Sequence, residues 1–168
     1  MKQLKFLCVT QDNAQLCADF SALMFPYSEE LDEDLDEKLP AEILQKWIDS
    51  ILRMQGDADR HLELCYDGDD LIGFLYGKVD HPGHRGYIKP GYGYIMEFYV
   101  RPEFRRKGYG TKLYRRMEEL FRNDGASRLY LTTGTKSGIP FWKAMGFSPT
   151  GEICPENQME IYEKEIRL

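Results

Sequence analysis

The chain has 168 residues, of which 42% are hydrophobic, and a formal net charge of −6 at pH 7. That length suits one globular domain over residues 1–168. The sequence contains no run of about 18 apolar residues, so we expect no membrane span. We expect a cytoplasmic location and no membrane partner, because the N-terminal MKQLKFLCVT gives way to polar residues too early for a signal peptide.

Charge is distributed unevenly along the chain. Residues 1–80 carry a net charge of −11, whereas residues 81–168 carry +5. A basic second half beside an acidic first half fits an anionic ligand together with a cationic one. Nucleic acid is therefore disfavoured as the main partner.

The cysteines and histidines indicate neither a disulfide framework nor a metal site. The four cysteines are widely separated, and the three histidines do not have the spacing of metal ligands. We interpret the cysteines as reduced and mostly buried, and we interpret His81 and His84 as exposed in a loop rich in proline and glycine.

One strand and two helices are predicted in the first third of the chain. Gln3–Thr10 alternates as a strand, and Asp12 or Asn13 can cap a helix that Pro26 is expected to end. A second helix follows Pro40 and ends before Gly56. Its predicted apolar face comprises Ile43, Leu44, Trp47, Ile48, Ile51 and Leu52.

Between these helices lies a strongly acidic run. Residues 29–37, EELDEDLDE, hold seven acidic residues in nine positions. A solvated loop or a frayed helix is the preferred interpretation, and a lip that attracts cations is the alternative.

Three strands are predicted next. The runs 61–66 and 71–79 flank Asp67-Gly68-Asp69-Asp70, which is a hairpin signal, and Gly73 is expected to mark a bulge or a close approach of the backbone. After a loop over residues 80–90, residues 91–101 form a long strand. Strict alternation along this strand places Glu97 on one face with Ile95 and Tyr99, opposite Met96, Phe98 and Val100.

The segment GYIMEFYVRPEFRRKGYGTK, residues 93–112, is the most informative part of the chain. A strand ends at Val100-Arg101-Pro102, and a basic turn then opens a helix near Gly110. Glycines in the turn let the backbone approach a ligand closely, and the helix start presents unpaired N–H groups with the positive end of the helix dipole. The segment therefore predicts a site for a pyrophosphate.

The remaining pattern is a helix over 111–122, a strand over 128–133, a short helix over 138–145, and strands over 148–153 and 158–167. The strand–helix–strand portion predicts a right-handed crossover between parallel neighbours. The terminal MEIYEKEIR is interpreted as an edge strand or as part of a dimer contact, which leaves the oligomeric state open.

Two motifs resemble those of the GCN5-related N-acetyltransferases, the GNAT superfamily. Arg105-x-x-Gly108-x-Gly110, following a strand that ends Val-x-Pro, is similar to the acetyl-CoA motif of that family. TKSGIPFWKAMGF, residues 135–147, is similar to its Asn-x-x-Ala-x-x-Phe-Tyr-x-x-x-Gly-Phe motif. The resemblance implies an α/β fold with a mixed sheet, in the order β-α-α-β-β-β-α-β-α-β-β.

The resemblance also implies acetyl-CoA as co-substrate, with no metal. Main-chain groups of the long strand would pair with the pantetheine arm, and the backbone of the glycine turn would hold the pyrophosphate. The residues implied for binding acetyl-CoA are Phe98, Tyr99, Val100, Arg105, Arg106, Lys107, Gly108, Tyr109, Gly110, Thr111, Thr135 and Trp142.

Three positions depart from the second motif. Thr135 stands where the family usually has an asparagine that touches the cofactor, Gly138 replaces alanine, and Trp142 replaces a tyrosine. In many members that tyrosine protonates the departing thiolate, which indole cannot do. The general acid then comes from elsewhere, or the thiolate leaves without one; Trp142 would pack against the cofactor or the core.

Glu97 is the candidate general base. At pH 7 a primary amine is almost entirely protonated, because its pKa is about 10.4, so a base that accepts its proton is useful. Related acetyltransferases often carry a carboxylate at this position. The alternative interpretation of Glu97 is an interstrand ion pair or a solvated side chain.

The sequence thus predicts acetyl transfer to a primary amine by direct attack within a ternary complex, since no nucleophile constellation indicates a covalent acetyl-enzyme. The acidic first half favours a small cationic acceptor such as a polyamine, an aminoglycoside-like antibiotic or an amino-acid amine; a protein amino group is a further option. The alternative function is a non-catalytic module with this fold that senses acyl-CoA or binds another protein.

Overall fold

Seven strands and four α-helices follow the predicted order in the computed structural model, which describes residues 1–57, 59–136 and 138–167, with only the backbone at 34 and 35. The elements are β1 (Leu4–Cys8), α1 (Ala14–Leu35), α2 (Ala41–Arg53), β2 (Arg60–Asp67), β3 (Asp70–Val79), β4 (Gly93–Val100), α3 (Tyr109–Asn123), β5 (Arg128–Thr133), α4 (Gly138–Ala144), β6 (Ser148–Ile153) and β7 (Glu160–Glu165). A 3-10 turn, Pro102–Phe104, joins β4 to α3. The predicted fold class is confirmed.

The strands form one mixed sheet in the order β1-β2-β3-β4-β5-β7-β6. The β4–β5 pair is parallel, as the crossover through α3 predicts, and the other neighbours are antiparallel. Because β7 lies between β5 and β6, the interpretation of the C-terminal strand as an edge is wrong. The edges are β1 and β6.

The helices cover the two faces of the sheet, and alternation along β3 shows how. Phe74 and Tyr76 pack into the core beneath α1 and α2, whereas Leu75 and Val79 pack into the core beneath α3 and α4. Successive side chains of a strand point to opposite faces, so each β3 residue contributes to one core only.

Helix α1 extends further than the sequence predicts. Asn13 caps its start as predicted, accepting a hydrogen bond from the Leu16 N–H at 3.0 Å, but the helix runs through Pro26 and includes most of the acidic run. Proline removes one helix hydrogen bond and still permits a helix where side-chain packing maintains it. Here the packing continues beyond the proline, since the Tyr27 ring lies 5.4 Å from that of Phe74 and Ser28 is buried.

The hairpin of β2 and β3 forms at the predicted turn, and Gly73 is the close approach that the sequence indicates. A β-carbon at Gly73 would lie 1.9 Å from the Tyr99 carbonyl oxygen of β4. Cys65 pairs with Gly73 and Tyr66 with Leu71, so Ile72 is an extra residue on β3. A side chain at position 73 would therefore push β3 and β4 apart.

Strict alternation fails in β4. Tyr76 of β3 pairs with Glu97 and Gly77 with Ile95, so Met96 is a bulged residue. The extra residue reverses the pattern: Ile95 packs with the α3 core, whereas Met96 and Tyr99 pack with the α1 core. The prediction that Glu97 shares a face with Ile95 is therefore wrong.

Smaller corrections concern single side chains. Ile43, predicted on the apolar face of α2, is 47% exposed, while Leu44, Ile48 and Ile51 are buried. Cys65 and Cys154 are buried as expected, but Cys8 is exposed on the edge strand.

Candidate active site

Strands β4 and β5 separate soon after they begin. They pair only at Gly93 with Leu129 and at Tyr94 with Tyr130. Beyond Tyr94 the two strands enclose a cavity of about 1050 Å³, which the whole of β4 from residue 94 to 100 lines. The main-chain groups of β4 that would continue the ladder toward β5 therefore face this cleft.

Aromatic side chains occupy the floor between the separated strands. The Phe98 ring of β4 lies 5.0 Å from the Trp142 ring of α4 and 5.6 Å from the Phe141 ring. Trp142 is buried and also contacts Tyr114 and Phe147 edge to face. Trp142 thus joins the core and lines the cleft, which fits the packing role expected of it.

The glycine turn follows the end of β4. Arg106 and Gly108 both have left-handed backbones, with φ of 59° and 92°, and Gly108 is the N-cap of α3. Gly108 has no side chain to cap the helix, so the N–H groups of the first turn lack a side-chain partner there. This turn presents N–H donors and the positive end of the helix dipole to the cleft.

Arg105 is held by the protein itself. Its Nε donates to the Val100 carbonyl at 2.8 Å, its Nη2 donates to Glu30 Oε2 at 2.7 Å, and its guanidinium lies 5.5 Å from the centre of the Tyr99 ring. Arg105 therefore ties the glycine turn to both β4 and α1. Arg106 is left as the arginine of this turn that is more available to a ligand.

All the residues named for the site line this cleft except Lys107 and Tyr109. The Lys107 ammonium lies 6.0 Å from the centre of the Phe104 ring. The Tyr109 side chain is buried and donates its hydroxyl to Asp67, so it supports the turn from beneath. The expected contribution of Tyr109 is limited to its main-chain N–H at the helix start.

The departures at Thr135 and Gly138 explain each other. Thr135 Oγ1 accepts a hydrogen bond from the Gly138 N–H at 3.0 Å and so caps α4. A β-carbon at position 138 would lie 2.3 Å from that same Oγ1. In this arrangement glycine at 138 leaves room for the Thr135 hydroxyl, which is used in the cap.

Glu97 lies in the cleft and is hydrogen-bonded to Tyr27. The Tyr27 hydroxyl of α1 donates a hydrogen bond to Glu97 Oε2. Burial raises the pKa of Glu97 and the hydrogen bond from Tyr27 lowers it in part, so that the pKa is about 8. The carboxyl group therefore changes its protonation near neutral pH, which suits a general base.

Further polar groups line the opposite wall. Asn157, in the loop between β6 and β7, donates from Nδ2 to Thr132 Oγ1 of β5 at 2.9 Å, and Met159 lies beside it. The ring of Tyr94 is stacked on that of Tyr130 at 4.5 Å and also faces the cleft. The cavity beyond the glycine turn thus lies between the end of α1 and the β6–β7 loop.

Sequence reasoning did not identify Tyr27 or Asn157. A signal for Tyr27 was available, since Phe20, Met24, Tyr27 and Leu31 continue the helical spacing through Pro26. Asn157 follows no periodic pattern, because it lies in an irregular loop that only the fold brings to the cleft.

No group of three or more metal-ligating side chains occurs in the part of the chain that the structure describes. Among the helices in those ranges, none combines the length and apolarity needed to cross a membrane.

Comparison with known proteins gives the same fold. The chain superposes on a GNAT-family acetyltransferase from Staphylococcus aureus Mu50 with a TM-score of 0.75 and 13% identity, covering 98% of this chain and 100% of that one. PaiA N-acetyltransferase from Thermoplasma acidophilum, solved with coenzyme A, gives a TM-score of 0.70 at 17% identity, covering 97% and 99%. A GCN5-related N-acetyltransferase from Ralstonia eutropha JMP134 gives 0.62 at 26% identity, covering 90% and 96%.

Sequence relatives agree. "Probable N-acetyltransferase HLS1" of Arabidopsis thaliana is 38% identical in an alignment of length 85 that covers 42% of this chain and 21% of that protein. The chain thus matches about a fifth of the length of this curated relative. The model of the acetyltransferase (GNAT) family matches residues 6–147. Because that match spans both motifs and most of the sheet, the chain belongs to the GNAT family of acetyltransferases.

Proposed function

We propose that this protein transfers an acetyl group from acetyl-CoA to the primary amine of a small cationic molecule, by direct attack in a ternary complex. The observation that carries the proposal is the placement of Glu97 in the cleft between the separated β4 and β5. The glycine turn lies at one end of that cleft, and acidic residues of α1 lie beside it.

The residues present fit coenzyme A. The N-terminus of α3 and the side chain of Arg106 offer partners for a pyrophosphate, and the unpaired edge of β4 offers main-chain partners for an extended arm. Bound acetyl-CoA would supply the thioester that the amine attacks.

Glu97 makes deprotonation of the amine less costly. Taking a proton from an ammonium of pKa about 10.4 costs roughly 3 kcal/mol for a base with the Glu97 pKa of about 8, against roughly 8 kcal/mol for an ordinary glutamate. The Tyr27 hydroxyl keeps the accepting carboxylate oriented. Burial of Glu97 thus serves catalysis even though it costs stability when the group is charged.

Departure of the thiolate needs no specific acid in this cleft. A thiol with a pKa of about 8.5 is a good leaving group near neutral pH, and solvent can protonate it. Trp142 packs among Phe98, Phe141 and Phe147 and has no acidic proton to give.

The deciding experiment measures thiol release from acetyl-CoA with a panel of amines, for the wild type and for Glu97→Gln. We expect turnover with small cationic amines and a loss of about 100-fold in kcat for the variant. The rise in rate near pH 8 should also disappear, because glutamine does not titrate.

Two outcomes would count against the proposal. Acetyl-CoA binding without thiol release above background would favour the alternative function of an acyl-CoA sensor. An unchanged rate and pH profile in Glu97→Gln would assign the base to another residue or to a water chain. Tyr66→Phe, which removes a tyrosine hydroxyl bonded to Asp19 outside the cleft, serves as a control for general effects of substitution.

A further inference from the structure

Asp67, the last residue of β2, accepts hydrogen bonds from two other segments of the chain. Its Oδ1 accepts from the main-chain N–H groups of Lys2 and Gln3, each at 2.8 Å. Its Oδ2 accepts from the hydroxyl of Tyr109, the first residue of α3. Asp67 and Tyr109 are both buried. The carboxylate therefore joins β2, residues 2–3 and the start of α3.

The charge of Asp67 strengthens its bond with Tyr109. That hydrogen bond, followed by the one from the Gln3 N–H, lowers the pKa of Asp67, so the carboxyl group is ionised at neutral pH. The same bond raises the pKa of Tyr109 to about 12, so the phenol keeps the proton that it donates. Hydrogen bonds to an ionised acceptor are stronger than those between neutral groups. The contact can therefore hold the first residue of α3 in place.

The glycine turn lies between two such attachments. Arg105 is bound to β4 and α1 on one side, and Tyr109 is bound to Asp67 on the other. Between them, Arg106 has a φ of 59° and Gly108 a φ of 92°. A left-handed backbone is unfavourable for a residue with a side chain, such as Arg106, and it persists where the surroundings maintain it. The attachments at both ends supply such surroundings.

The conformation of the turn determines where the start of α3 points. The first hydrogen bond of the helix runs from the Lys112 N–H to the Gly108 carbonyl at 3.2 Å, so the N–H groups of residues 109–111 have no partner within the helix. The Tyr109 side chain points away from the cleft toward Asp67, whereas the next two residues line the cleft. A rotation of Tyr109 would therefore turn these donors away from a bound pyrophosphate.

Residues 1–3 give the glycine turn a second contact that depends on Asp67. A β-carbon at Gly108 would lie 3.5 Å from Cε of Met1. The two residues that follow Met1 are those bonded to the Asp67 carboxylate. One buried carboxylate thus supports the turn through α3 and through residues 1–3.

We propose that Asp67 is a positioning residue for acetyl-CoA: by binding the Tyr109 hydroxyl, it keeps the glycine turn in the conformation that directs the N–H groups of α3 toward the pyrophosphate. This inference rests on the proposed function only in placing the pyrophosphate at that turn. The groups that touch the donor are contiguous in sequence, but the residue that positions them lies 42 residues before Tyr109.

The binding test is calorimetry with coenzyme A on Tyr109→Phe. The substitution removes the hydroxyl but keeps the main-chain N–H and the ring, which lies 5.8 Å from that of Phe104. We expect the affinity to fall about tenfold, because a turn that is competent for binding about a tenth of the time binds about ten times more weakly. An unchanged affinity overturns the proposal.

The matched control is Tyr66→Phe. Tyr66 donates its hydroxyl to Asp19 Oδ2 at 2.5 Å, and neither residue lines the cleft. This variant also loses a bond between a tyrosine and a carboxylate, yet its affinity for coenzyme A should equal that of the wild type. Equal losses of affinity in the two variants would show a general effect of such a loss and would overturn the proposal.

A double-mutant cycle tests whether Asp67 acts through Tyr109. Asp67→Asn retains an oxygen that can accept from residues 2 and 3, but it places an amide where the charged oxygen faces the Tyr109 hydroxyl. The affinity for coenzyme A should fall in Asp67→Asn, and adding Asp67→Asn to Tyr109→Phe should cause no further loss. Losses that multiply would show that the carboxylate acts independently of the tyrosine, which overturns the proposal.

Kinetics separate this inference from the proposed function. With an amine that the wild type acetylates, Tyr109→Phe should raise the KM for acetyl-CoA about tenfold and leave kcat at saturating acetyl-CoA unchanged, since the loss is in binding. A loss of folded protein would lower kcat instead, and a lower kcat at unchanged KM overturns the positioning role. If the affinity for coenzyme A falls in Tyr109→Phe but no amine is acetylated, the positioning role stands and the acetyl transfer fails. If amines are acetylated and the affinity is unchanged, the reverse holds.

Discussion

The two ends of the cleft are built in different ways. The donor end, where we propose that acetyl-CoA binds, comprises the turn 102–111 with the start of α3, and it is contiguous in sequence. The acceptor end, where we propose that the amine binds, brings together Tyr27, Glu97 and Asn157, which lie on α1, β4 and the β6–β7 loop. The donor end offers mainly main-chain groups and the acceptor end offers side chains.

The two kinds of construction differ in how far substitutions elsewhere in the chain can change the site. A main-chain site for phosphate depends on backbone conformation, which a few glycines and a proline determine locally. A side-chain site depends on the packing of segments that are distant in sequence. The donor end can therefore remain constant among proteins of this fold while the acceptor end changes with the substrate.

The largest effect is expected from substitutions at the donor end, which should weaken acetyl-CoA binding. Gly108→Asp places a negative charge at the N-cap of α3 and should weaken acetyl-CoA binding by about 100-fold, since repulsion between charges a few ångströms apart costs several kcal/mol. Gly110→Asp should behave likewise, because a β-carbon there already lies 3.0 Å from the Phe141 ring. Isothermal calorimetry measures both.

Gly125→Asp is the control for Gly108→Asp. Gly125 has a φ of 89° at the other end of α3, and an added β-carbon would meet nothing within 4 Å. It carries the same backbone strain and charge, so its acetyl-CoA affinity should equal that of the wild type. Undiminished binding in both Gly108→Asp and Gly110→Asp would remove the pyrophosphate site from this turn.

A second experiment tests how much the stability of the protein depends on the close β3–β4 contact beside the acceptor end. Gly73→Ala would place a methyl group against the Tyr99 carbonyl and should lower the free energy of unfolding by about 1–3 kcal/mol. Gly83→Ala, where the added carbon meets nothing within 4 Å, should be neutral or slightly stabilising. Equal unfolding midpoints in urea would show that β4 adapts without cost.

The smallest expected effect concerns the Tyr27–Glu97 hydrogen bond. Glu97 is protonated below its pKa of about 8, so the rate that depends on its base form rises as the pH passes that value. Tyr27→Phe removes a hydrogen bond that lowers this pKa, so the rise in kcat/KM should move to higher pH. Acetyl-CoA affinity should not change.

Tyr66→Phe again serves as the control, and its pH profile should match that of the wild type. A shift of the Tyr27→Phe profile toward lower pH would contradict the assigned hydrogen bond. A large loss of acetyl-CoA affinity in Tyr27→Phe would show that the two ends of the cleft are not separable.

The fold could be predicted because its signals are local or periodic. The hairpin at Asp67-Gly68-Asp69-Asp70 and the turn before α3 each follow from the residues at that place. The prediction that α1 ends at Pro26 was wrong because the loss of one helix hydrogen bond is offset by the packing of Tyr27 against β3. That packing exists only in the folded molecule.

The acceptor end could be predicted only in part: the sequence indicated Glu97 as a candidate base, but the face on which it lies and its partner depend on the folded molecule. The bulge at Met96 changes which face of β4 each later side chain occupies. No residue in GYIMEFYV predicts this bulge. The pairing of Glu97 with Tyr27 depends both on that bulge and on the continuation of α1. The raised pKa of Glu97, which comes from burial, is likewise a property of the assembled cleft.

The brief pairing of β4 with β5 has a consequence for hydrogen exchange. In an antiparallel pair alternate N–H groups of β4 bond to β3, while the others point toward the neighbour that is absent beyond Tyr94. Protected and unprotected amide protons therefore alternate along one strand. A molecule laid in the cleft would slow exchange at every second residue, so a single strand reports both its own stability and the occupancy of the site.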